Sequence, residues 1–160
     1  MKTVRLFATA AIALAVITGT AQAQTHTVTF SVGAISTLSL GPNPAALNVT
    51  AAAAGQPPNS VSQPSTYSIT TNEPNRKITA VLGPTAMPNG LTLSVNVAAP
   101  STGTTAGTVV VGTTAVDVVT SIDPVSQANL GITYTLSATA VAAPAAGATR
   151  TVTYTIVAGT

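Results

Sequence analysis

From Leu91 to Val97 every second residue is apolar, with Leu91, Leu93, Val95 and Val97 separated by Thr92, Ser94 and Asn96. The same period of two runs through Ile132, Tyr134, Leu136, Ala138 and Ala140, and again through Val152, Tyr154 and Ile156. Such alternation predicts strands that are packed on one face and wet on the other. The dominance of Val, Ile and Thr suits a pleated, half-buried surface. Turn formers punctuate these runs at 41–44, 55–59, 72–75, 87–90 and 143–147. The expected strands are 25–32, 35–40, 45–50, 65–71, 76–82, 91–97, 107–112, 115–122, 131–141 and 148–157. The last two are expected to form a hairpin over "AAPAAGA", and 51–64 and 98–106 to be the long loops. Many short strands with close turn signals predict an all-β fold, an antiparallel β-sandwich of Ig-like or jelly-roll-like type.

The first residues follow a different pattern. A basic start at Lys2 and Arg5, an apolar run from Leu6 to Ile17, and small residues at Ala21 and Ala23 describe a secretory signal peptide, 1–23, with cleavage after Ala23. Twelve apolar residues reach only about 18 Å as a helix, short of a bilayer core of about 30 Å, so no permanent membrane span is expected. Residues 24–160 then form a single sandwich domain that is secreted, either extracellular or at the cell surface.

Removing the signal changes the charge balance. Arg76, Lys77 and Arg150 stand against Glu73, Asp117 and Asp123, so the apparent basicity belongs to the export segment. With no basic stripe, nucleic acid is not an expected partner. Only 5% of the chain is charged, against about a quarter in ordinary soluble domains. A surface of Thr, Ser and Ala leaves few ions to desolvate on close contact, and this favours self-association.

Catalytic chemistry finds little material. The chain has no cysteine and one histidine, His26, which sits on a free-end segment among threonines and is read as solvated. No G-x-S-x-G elbow surrounds any serine. Asp117 and Asp123 are too few for a calcium cage unless one loop gathers them with carbonyls, and the simpler reading is a turn aspartate and an exposed one. Glu73 and Arg76 are expected to pair across a turn. Phe30, Tyr67, Tyr134 and Tyr154 all fall in the apolar phase of their strands and are read as core. No enzyme activity, cofactor or metal is expected.

The segment "THTVTFSV", Thr25–Val32, puts Val28, Phe30 and Val32 on one face and Thr27, Thr29 and Ser31 on the other. An export signal, then a short alternating segment, then one all-β domain resembles the subunits of donor-strand-assembled pili. That resemblance implies that residues 24–32 fill a groove in a neighbouring subunit, with Val28, Phe30 and Val32 as the inserted side chains. The alternative is that this segment is the first strand of its own domain. The expected function is therefore a non-catalytic structural subunit of an extracellular filament or cell-surface assembly. The rival is an adhesion module that recognises a polar surface through loops 51–64, 98–106 and 123–129.

Overall fold

The structure is a computed structural model of the 160-residue chain and describes residues 22–145 and 147–160. The expected signal peptide, apart from its last two residues, lies outside the described residues. The described chain separates into residues before Gly33 and a compact unit, Gly33–Thr160.

The compact unit is all-β, without a helix among the described residues, and the period-two pattern explains why. The strands are β1 (Ser36–Leu40), β2 (Val61–Thr71), β3 (Arg76–Leu82), β4 (Leu91–Val97), β5 (Thr104–Thr105), β6 (Thr108–Val110), β7 (Val116–Ile122), β8 (Val125–Ala138) and β9 (Val152–Ala158). They form a five-stranded sheet, β1-β2-β8-β4-β6, and a four-stranded sheet, β5-β7-β3-β9, with every pairing antiparallel. From β2 onward each successive strand joins the opposite sheet. Each crossing sends an amphipathic strand to the opposite sheet, so the two sheets present their apolar faces to one core. The arrangement is β-sandwich-like.

The core draws on both sheets. Tyr67, Ile69, Leu93, Val95, Val97, Leu130, Ile132 and Tyr134 come from the five-stranded sheet, and Ile78, Ala80, Leu82, Val118, Val119 and Ile122 from the other. Burial pushes the Tyr67 hydroxyl up to about 12, and the hydroxyl donates to the Ala98 carbonyl at 2.5 Å. At one end Asn75, in the left-handed conformation with φ 49°, ties three segments together. Its N–H donates to Asp123 and its carbonyl accepts from the Gly159 N–H. A Cβ on Gly159 would come within 2.5 Å of Asn75 Oδ1, so this closure requires glycine.

Several expectations are corrected. Residues 25–32 and 45–50 form no strand. The first has no ladder, and the second keeps only Leu47 and Val49 half-covered, with Leu47 packed on the core. Neither β8 nor β9 completes a hairpin, because they lie in different sheets. Strand β8 begins at Val125, where the polar "SQAN" continues to pair with β2 across a register shift and Asn129 absorbs the irregularity at φ 58°. Strand β2 begins at Val61 and includes Pro64. Gly41 N–H donates to Thr66 O, so by parity Pro64 faces the same edge, beyond the end of β1, where no ladder bond is lost. The alanine run ends in a single turn, Gln56 N–H to Ala53 O.

Adjacent positions on β8 should respond oppositely to truncation. Ile132, 1% exposed, should lose about 2–5 kcal/mol as Ile132→Ala. Thr133→Ala, on the outer face, should stay within about 0.5 kcal/mol. Denaturant unfolding of the two variants measures the difference.

Candidate assembly edges

Each sheet ends in a strand that has a neighbour on one side only, and the hydrogen-bond phase fixes which backbone groups are left over. Within Gly33–Thr160, β9 pairs only with β3. Gly83 N–H donates to Thr151 O at 2.7 Å, and Gly159 N–H to Asn75 O. Counting inward along the register from both ends, Thr153, Thr155 and Val157 exchange bonds with β3. The N–H and C=O groups of Val152, Tyr154, Ile156 and Ala158 therefore point away from the sheet, along its open edge.

The same phase governs side chains. Val152, Tyr154 and Ile156 face the core, yet each is only half-buried. A complete sandwich would cover them. Burial, then the neighbouring Tyr134 hydroxyl, holds Tyr154 far above the usual tyrosine value, so its hydroxyl stays protonated. The edge thus presents free backbone bonding groups in register with partly covered apolar side chains.

Strand β1 mirrors it. Asn72 N–H donates to Ile35 O at 3.0 Å and Gly41 N–H to Thr66 O at 2.8 Å, so residues 35, 37, 39 and 41 bond to β2. Ser36, Leu38 and Leu40 are left facing outward along the edge. Leu38 is half-buried and Leu40 is 49% exposed. β1 and β9 approach one another at the side of the sandwich. Between them lies a seam with open backbone groups on both margins and an incomplete apolar lining.

One end of this seam is polar. Glu73 pairs with Arg76, as expected from the turn, and also accepts from the Ser36 hydroxyl of β1 at 2.7 Å. Ser36 Oγ lies 2.9 Å from Thr71 Oγ1, and Thr71 Oγ1 accepts from the Glu73 N–H at 3.1 Å. The Arg76 guanidinium and then the Ser36 hydroxyl hold the Glu73 carboxyl below its ordinary value.

The sequence-derived donor residues lie on the N-terminal segment. Val28, Phe30 and Val32 are 77%, 88% and 79% exposed, so the reading of Phe30 as core is corrected. Tyr67 and Tyr134 are buried and Tyr154 half-buried, in agreement with their phase. His26 is exposed.

The acids do not converge. Lys77 Nζ lies 3.2 Å from Asp117, and Asp123 accepts from Asn75. The two aspartates flank opposite ends of β7, roughly 20 Å apart at strand rise, so no single loop gathers them. A shallow hollow of about 350 Å³ on the outer side of β1, β2 and β8 is lined by Thr37, Ser39, Ser68, Thr70 and Ser126. Its hydroxyls largely bond within the protein, as Thr70 and Ser126 do at 3.2 Å. The edges were missed by the sequence reading because an unpaired edge is a property of strand order. The half-polar "STLSL" of β1 was its only local trace.

Comparison with protein-family models, with curated proteins and with solved structures finds no match to this chain. No helix among the described residues is long and apolar enough to cross a membrane.

Because the folded carboxyl of Glu73 is depressed, its contribution is present above the unfolded value of about 4.3 and is lost as pH falls through the lower, folded value. Wild-type protein should therefore lose thermal stability in acid more steeply than Glu73→Gln. Melting temperatures followed from neutral pH downward test this.

Proposed function

We propose that the protein is a secreted, non-catalytic structural subunit that builds an extracellular filament or cell-surface assembly by β-strand addition. The donor is Thr25–Val32 of one copy and the acceptor is the β1–β9 seam of the next. One observation carries the reading. The open edge of β9 presents the backbone groups of Val152, Tyr154 and Ile156 above half-covered apolar side chains, while Val28, Phe30 and Val32 stand exposed at the same spacing of two.

The magnitudes support association. Burying three such side chains is worth about 5–8 kcal/mol. Each ladder bond adds about 1 kcal/mol. The cost of association, about 4–15 kcal/mol, falls toward its lower end when the acceptor edge is already ordered. Backbone bonds supply affinity, and alternate side chains in the seam set the register. Secretion follows from the signal peptide read at 1–23, and the scarcity of carboxylate and imidazole groups argues against catalysis. The seam is flanked by edge strands of two different sheets, so an added strand has an open edge on either side.

The double variant Val28→Asp/Phe30→Asp tests the reading by electron microscopy and size-exclusion. Wild-type protein should form filaments. Each aspartate forfeits about 2 kcal/mol or more of burial, so the concentration needed for assembly should rise by at least about a thousandfold. Filaments that persist in the variant, or a wild-type protein that stays monomeric, would overturn the proposal.

A further inference from the structure

The charged side chains of the compact unit lie on the four-stranded sheet and in the connections at its ends, which join the two sheets. Arg76 and Lys77 lie on β3, Asp117 lies on β7, and Glu73, Asp123 and Arg150 lie in segments that adjoin β3, β7 and β9. The five-stranded sheet carries none: no Asp, Glu, Lys or Arg occurs in β1, β2, β4, β6 or β8. Its outward positions are hydroxyls and small groups, among them Ser62, Thr92, Thr133 and Ser137. The register adds Val110, beside Ser94 and 59% exposed. We propose that this charge-free face is a second interface, at which two copies of the chain pack sheet against sheet.

Three arguments select a second copy as the occupant. A contact between identical faces about a two-fold axis sets residue i of one copy against residue j of the other, and j against i. On the four-stranded sheet such a contact would have to bury the Lys77–Asp117 ion pair, whose desolvation is costly. On the five-stranded sheet it opposes hydroxyls, each of which both donates and accepts, so such a face is complementary to itself. No ion has to be desolvated there.

The area also fits. The five strands hold 40 residues, which at strand rise and spacing cover about 650 Å² a side before flanking turns are counted. A standard interface buries about 800 Å² per partner. The hydroxyls bond across strands within the sheet, with Ser62 Oγ 2.8 Å from Thr135 Oγ1. This orders the face before contact and lowers the cost of docking.

The face lies perpendicular to the strand edges, so this interface is independent of strand addition. The test therefore uses full-length protein carrying Val28→Asp/Phe30→Asp, in which donation is silenced. Sedimentation equilibrium at roughly 100 μM, well above the micromolar range of modest interfaces, should give a dimer. Thr133→Arg, an exposed position at the centre of the face, should raise the dimer dissociation constant by at least about a hundredfold. Thr155→Arg, exposed on the opposite sheet, should leave it unchanged. Matched circular-dichroism melts for the two arginine variants show that each is folded. A monomer in the parent, a dimer indifferent to Thr133→Arg, or equal loss from both arginine variants would overturn the inference. Filaments surviving the aspartate pair would instead refute strand addition and leave the face to be judged by the arginine pair alone.

Discussion

The five-stranded sheet hangs on one strand. β8 pairs with β2 from Leu136 back to Val125 and with β4 from Ala138 to Ile132, so its C-terminal half is bonded on both edges. It delivers Leu130, Ile132 and Tyr134 to the core in consecutive inward positions. None of its neighbours in the sheet is its neighbour in sequence, so every bond it makes closes a long loop. Folding must meet that entropy cost before the ladder rewards it, which places this chain among slowly folding β topologies. The rest of the five-stranded sheet inherits its register, including the position at which β1 can add to β2.

Edges are where that construction stops. Proteins commonly guard such edges with lysine, proline, bulges or a covering loop. Here Pro64 guards the part of β2 beyond β1, but no charged side chain lies along β1, and β9 is uncharged from Val152 to Ala158. At one end of the seam Glu73 and Arg76 neutralise each other. An isolated monomer leaves Tyr154 and Ile156 partly wet and several backbone groups bonded only to water. Covering them removes apolar area and satisfies the ladder in one step, which is why strand addition suits this site better than a loosely bound ligand would.

Local pattern revealed much of the fold. The boundaries of β3 and β4 follow directly from "RKITAVL" and "LTLSVNV", whose alternation needs no tertiary help. "THTVTFSV" has equally clean alternation and forms no strand, because alternation specifies two faces but supplies no ladder partner. "SQANLG" shows the converse. Its polar residues suggest a turn, yet the continuing ladder with β2 carries them as strand. The crossing of β8 to β9 between sheets was also illegible, since the loop "AAPAAGA" is compatible with a hairpin or a crossover. The donor side of the proposed assembly was therefore readable from one dimension. The acceptor side needed strand order.

Charge scarcity acquires a sharper meaning once the strands are placed. The ions lie on the four-stranded sheet, the ionic side, and in connections shared with the other sheet, while the strands of the five-stranded sheet keep an uncharged, hydroxylated outer face. Lys77 and Asp117 pair across β3 and β7, so even the ionic side carries little net field. Solubility then depends on hydration of threonine and serine, a weak barrier to contact that is not steepened by lowering salt. The proposed strand addition runs in the plane of the sheets and the proposed face contact across it, so occupation of one leaves the other open. The proposed assembly would lengthen through the edges and thicken through the face, with different residues serving the two contacts.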